Sequence, residues 1–116
     1  MRMFSFLIFA WTLLSVLEVP ADAASFDCAK ARLADERAVC ASRELSEMDV
    51  EVAVRFETLA GLVPMGTRGD MGDEQRAFLA ARRRCGGNAA CLAGAYRGRI
   101  AVLKSEYDRL KSRGPF

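Results

Sequence analysis

The chain has 116 residues, 52% of them hydrophobic and 28% charged, with a formal net charge of +2 and no histidine. That length bounds a single small domain. The missing histidine removes the commonest general base and metal ligand, and with it serine–histidine and cysteine–histidine nucleophilic chemistry.

The chain opens with Arg2, then an apolar stretch from Met3 to Leu17, then the small-residue site Ala21-Asp22-Ala23. A basic start, an apolar middle and a small-residue end are the layout of a secretory leader, here cut after Ala23. The apolar run stops at Glu18 and Pro20, short of the roughly 20 residues that span a bilayer. No stable membrane span is therefore expected once residues 1–23 are removed, and residues 24–116 form the mature domain. Cys28 follows Ser25-Phe26-Asp27, which lacks the small apolar context of a lipid-attached cysteine.

All four cysteines, Cys28, Cys40, Cys85 and Cys91, lie beyond the leader, where export places them in an oxidising periplasmic or secreted environment. A mature chain this short has a modest core, so two disulfides are expected as staples. Four cysteines allow three pairings. The local pairs Cys28 with Cys40 and Cys85 with Cys91 are favoured because each closes a short segment at a helix end. Neither pair has the short gap of zinc ligands, so no metal site is expected.

Helical periodicity dominates the mature chain, and the fold class expected is all-α, a disulfide-stapled bundle of three to four helices. The first helix is placed over Cys28 to Cys40, with Leu33 and Val39 as its apolar contacts. Ser42 then supplies an N-cap, and Glu44 and Glu47 suit the positive end of the next helix. Along that helix Leu45, Met48, Val52, Phe56 and Leu59 recur at steps of three and four, and its end is expected near Gly61.

From Val63 to Gly72 the chain holds three glycines and a proline, which predicts a mobile connection rather than a helix. Its exposed Thr67, Arg68 and Asp70 are candidate partner-binding residues, Arg68 as a projecting cation. Arg68-Gly69-Asp70 also spells an integrin-type tripeptide, but three common residues carry little specificity. A third helix is expected from Asp73-Glu74, exposing Arg76, Arg82, Arg83 and Arg84 while Phe78 and Leu79 face inward. Cys85-Gly86-Gly87-Asn88 then supplies a stop, a turn and a new N-cap.

The last helix, Ala89 to Lys111, aligns Leu92, Tyr96, Ile100, Leu103, Tyr107 and Leu110 on one side. This stripe predicts an antiparallel hairpin of the third and fourth helices, tied at its turn by Cys85 and Cys91 and laid against the second. The same amphipathic pattern suits a membrane surface, yet the stripe has partners of comparable length within the chain, which favours core packing.

Charge divides unevenly along the mature chain. Residues 24–74 carry 11 acids and 6 bases, and residues 75–116 carry 2 acids and 10 bases, giving about −5 and +8. Mutual neutralisation on packing accounts for much of this, and any acidic surface left over would steer onto a cationic partner. Fourteen of the 17 bases are arginine, the residue suited to forked contacts with phosphate or carboxylate, so an anionic glycan or lipid headgroup is an alternative partner. No nucleic-acid motif accompanies them and aromatics are not interleaved, so nucleic acid is not expected as a partner. Adjacent acids such as Asp35-Glu36 or Asp73-Glu74 do not face one another on a helix, so no catalytic residues, no cofactor and no enzyme activity are assigned.

Ser25-Phe26-Asp27-Cys28-Ala29-Lys30-Ala31, then Asp35-Glu36-Arg37-Ala38-Val39-Cys40, then Glu44-Leu45 with Asp49, resemble the N-terminal signature of the LprI-like lysozyme-inhibitor family. A second block, Gln75-Arg76-Ala77-Phe78-Leu79, Arg82, Cys85, Cys91-Leu92, Tyr96, Arg99-Ile100 and Leu103, resembles that family's other characteristic stretch. Phe78 stands where the family usually has tryptophan, and Arg83 where an acid would follow arginine. The resemblance implies an exported helical domain with disulfides that binds lysozyme or another cell-wall hydrolase and inhibits it without catalysis. Its recurring polar positions, here Asp27, Asp49, Arg82 and Arg99, are expected mainly as internal ion pairs and helix caps, with Asp49 paired to Arg99.

Overall fold

The computed structural model describes residues 23–114, and the leader expectation for residues 1–23 lies almost wholly outside them. The fold is all-helical. A single 3-10 turn at Cys28–Lys30 precedes α1 (Ala34–Ala41), α2 (Arg43–Leu62), α3 (Met65–Cys85) and α4 (Ala89–Lys111). The chain reverses between α2 and α3 and again between α3 and α4, so both hairpins are antiparallel. The Arg97–Glu44 hydrogen bond at one end, and a groove lined by both Leu59 and Leu103 at the other, place α2 parallel to α4. The hairpin of α3 and α4 against α2 is the arrangement the stripes predict, with α1 closing one end.

The expected first helix is divided in two. Asp27 accepts from the Ala29 N–H and caps the 3-10 turn, after which the chain runs extended before α1. Glu36 reaches back to accept from the Arg32 and Leu33 N–H groups at 3.0 and 3.2 Å, which satisfies donors that α1 leaves free and fixes its start. Leu33 consequently stands outside the helix and is exposed rather than a core contact, whereas Val39 is fully buried as expected.

Ser42 caps α2 by accepting from the Leu45 N–H, and Asn88 caps α4 by accepting from the Cys91 N–H. Leu45, Val52 and Leu59 of α2 meet Leu92, Tyr96 and Leu103 of α4 in the core, with Met71 and Phe78 contributed by α3. Tyr107, at the far end of the α4 stripe, is half exposed.

The expected mobile loop over residues 63–72 is not a loop. Proline drives the residue before it into extended backbone, and Val63 sits at φ −103°, ψ 156°, so α2 ends there. Helix resumes at once after Pro64, and only Val63 and Pro64 separate α2 from α3. Gly66, Gly69 and Gly72 weaken this first half of α3 intrinsically. Opposing them, Met71 is buried, and Arg68 ties the new helix to the last carbonyls of the old one.

Disulfides join Cys28 to Cys40 and Cys85 to Cys91, the local pairing, and no cysteine is free among the described residues. At the second of these turns Gly86 has φ +55°, a left-handed conformation in which glycine avoids the clash a side chain would meet. Among the described residues, no helix is long and apolar enough to cross a membrane.

Candidate functional site

Polar side chains converge inside the bundle from all four helices, three of them charged. Arg82 of α3 donates through Nε to Asp35 Oδ2 of α1 at 2.9 Å and through Nη1 to Asp49 Oδ1 of α2 at 3.3 Å. Tyr96 of α4 donates its hydroxyl to the same Asp49 oxygen at 2.8 Å and accepts from Arg82 Nη1 at 3.4 Å. The other Asp49 oxygen accepts from both the N–H and the hydroxyl of Ser25, at 2.7 and 2.6 Å. Arg82, Asp35 and Asp49 are each at least nine-tenths buried.

Removing three charges from water is costly, and only near-complete pairing offsets it. Asp49, with four donors, is saturated, whereas Asp35 Oδ1 is buried without a partner. Phe26 lies under the Arg82 guanidinium, 5.5 Å from ring centroid to carbon, and Phe78 meets Tyr96 edge to face at 5.3 Å. Burial, followed by the Asp49 carboxylate beside it, pushes the Tyr96 phenol well above its ordinary range. Burial works against the charge on Arg82, but Tyr96 and Asp35 outweigh it and raise the pKa above the ordinary guanidinium value. The Arg32 and Leu33 N–H groups lower that of Glu36.

Three expectations are corrected here. Arg82 is buried, not exposed, because it follows Phe78 by four residues and shares its face; Leu79, one step round the helix, is the residue turned partly outward. Asp49 pairs with Arg82 rather than Arg99. Arg99 lies further along α4 and is met by α3, donating to Gln75 Oε1 at 3.0 Å and Glu74 Oε2 at 3.2 Å, with Nη2 buried and unpartnered. Arg68 does not project: its Nε donates to the Ala60 carbonyl at 2.6 Å and its Nη2 approaches the Val63 carbonyl at 3.5 Å, capping the end of α2. Thr67 and Asp70 are exposed on the first turns of α3 beside it.

Of the residues singled out in the sequence, the structure thus brings Asp49 and Arg82 together, and leaves Asp27, Arg99 and Arg68 in separate places. Ser25, Asp35 and Tyr96 complete the network, and the sequence reading missed their polar roles. The signal available for Asp35 was its position four residues before the buried Val39, on the same helix face.

A pocket of about 270 Å³ lies beside this network, bordered by Ser25, Phe26, Glu36, Asp49, Gln75 and Arg82. On another side, Val54, Leu59, Leu103 and Tyr107 line an apolar groove of about 400 Å³ between α2 and α4. At the α2–α3 end, Leu62 and Met65 are 58% and 84% exposed, an apolar tip flanked by Thr67, Arg68 and Asp70. Among the described residues no group of acids and cysteines is placed to hold a metal ion. No protein-family profile, curated protein or solved structure matches the chain.

Proposed function

We propose that the chain is an exported, non-catalytic binding protein of the LprI-like kind, cut from its leader after Ala23, that inhibits a lysozyme or related cell-wall hydrolase by occluding its cleft. The observation that carries this reading is the α2–α3 tip. Two large apolar side chains, Leu62 and Met65, stand exposed at the α2–α3 end of a bundle that keeps Asp35, Asp49, Arg82 and Arg99 paired in its interior. A tight two-residue connection and the Arg68 cap hold that tip in place, which limits the ordering cost of binding. Two disulfides and the absence of free cysteine fit the oxidising environment that export provides.

The test is a titration of the oxidised, exported protein into a lysozyme assay on cell-wall substrate, with a Met65→Asp variant and a reduced sample alongside. Inhibition by the parent that is lost in Met65→Asp, with the helical spectrum unchanged, is the expected result. A folded, oxidised parent that leaves the hydrolase untouched removes the reading.

A second reading rests on Arg83 and Arg84. Both are exposed at the end of α3 and form no ion pair among the described residues. They favour an anionic glycan or lipid headgroup as ligand. Strongly salt-dependent binding to a model polyanion, without hydrolase inhibition, would replace the first reading with this one.

A further inference from the structure

The segment before the first disulfide lies across the bundle as a strap. Ala24 and Phe26 pack against the core, and Ser25 gives Asp49 two hydrogen bonds. The groups beneath and around it are Asp49 from α2, Glu36 from α1, and Arg82 and Gln75 from α3, with Tyr96 of α4 and Asp35 of α1 behind them and Asp27 in the strap itself. Around the pocket and network, Asp35, Glu36 and Asp49 oppose the buried guanidinium of Arg82, with the exposed Arg83 also acting on Glu36. This region therefore has an excess of negative charge.

We propose that cleavage after Ala23 makes the new α-ammonium of Ala24 the second cation of this network, so that leader removal fastens the strap to the bundle. Consecutive backbone nitrogens lie within about 4 Å of each other, so the Ala24 nitrogen is within roughly 7 Å of Asp49 Oδ2, which the Ser25 nitrogen contacts directly. In the uncut chain that nitrogen is a neutral amide. Hydrolysis of the Ala23–Ala24 bond converts it to an amine, which takes up a proton, while Ala23 leaves with the new carboxylate. The inference rests on the leader reading of residues 1–23.

An α-ammonium ordinarily loses its proton near pH 8. Carboxylates nearby raise that value in the folded state, so the stabilisation is complete below pH 8 and disappears as pH rises through the folded value. The experiment expresses the full chain with its own leader in an exporting host, beside a variant with Gly-Ser inserted between Ala23 and Ala24. Intact mass identifies each N-terminus. At pH 6.5 the protein beginning at Ala24 is expected to melt at least about 3 °C above the extended one, and the gap is expected to close by pH 10.

Asp49→Asn should shrink the gap, and Glu36→Gln provides the same check at a less buried carboxylate. Equal melting at pH 6.5 with Ala24 verified overturns the proposal while leaving leader cleavage intact. A gap that persists unchanged at pH 10 also overturns it, since packing rather than charge would then be responsible. A product beginning elsewhere defeats the leader site and the proposal together, and the mass separates that failure from the others.

Discussion

Asp49 accepts hydrogen bonds from Ser25, Arg82 and Tyr96, and so connects the strap, α3 and α4 through one side chain of α2. Replacing Arg82 with methionine strands Asp35 and Asp49 without a cation, and loss of one member of such a buried pair costs about 3–5 kcal/mol. The expected result is a large fall in the urea midpoint, with Arg82→Lys recovering only part because ammonium lacks the forked geometry that spans both acids. Tyr96→Phe removes hydrogen bonds to Asp49 and Arg82 and should cost about 1–2 kcal/mol. Tyr96 also sets an alkaline limit. Its folded pKa is raised, so its contribution is complete below the unfolded value near 10 and is lost as pH rises through the folded one. Phenolate absorbance from Tyr96 should therefore appear only as the helical signal falls, and Tyr96→Phe should abolish that coupled rise. The network was partly legible beforehand, since Asp49 falls between Leu45 and Val52, and Arg99 between Tyr96 and Leu103, on stripes otherwise apolar. A charge at a core-facing position predicts burial with a partner. Which partner it meets depends on the axial offset between helices, which periodicity does not encode, and this is why Asp49 meets Arg82 and not Arg99.

Helices α2 and α4 followed from their caps and stripes because propensity, capping and burial agree along them. The first half of α3 did not, since its three glycines argue for a loop while Met71 and the continuous chain onward to Phe78 favour helix, and packing prevails. If those glycines are tolerated rather than required, alanine should improve the helix. A Cβ added at Gly66 or Gly69 meets nothing within 4 Å, so each substitution should raise stability by about 0.5–1 kcal/mol, read as a higher urea midpoint. Gly86 supplies the contrast. It has equal space, but its φ of +55° strains any side-chain-bearing residue, so Gly86→Ala should destabilise. Destabilisation by Gly69→Ala would mean that the α3 tip requires backbone freedom there. Arg68→Ala examines the same junction from the other side: it frees the Ala60 and Val63 carbonyls and should lower stability by about 0.5–1 kcal/mol, independently of any change in inhibition.

Across the whole molecule, packing brings part of the uneven charge division together. Among the described residues, every ion pair that joins two helices links the acidic half to the basic half: Asp35 and Asp49 to Arg82, Glu44 to Arg97, and Glu74 to Arg99. Arg83 and Arg84, in the last turn of α3, form no ion pair among the described residues. The two disulfides serve this assembly unequally, although loop closure alone assigns each about 2–3 kcal/mol. Cys85–Cys91 spans six residues at a turn already fixed by Gly86 and by the Asn88 cap, so its loss leaves other restraints in place. Cys28–Cys40 spans twelve and anchors the strap to the end of α1, next to the Asp35 side of the network. Without it, Ser25 and Phe26 are held only by their own contacts with Asp49 and Arg82, and opening the strap removes two of the four donors to Asp49. The Cys28→Ser, Cys40→Ser double variant should therefore lose more stability than Cys85→Ser, Cys91→Ser, and Tyr96 should become easier to ionise in the first variant alone. Equal urea midpoints for the two would mean that the strap holds to the bundle without its covalent anchor, and that the buried network is closed by Phe26 and Ser25 unaided.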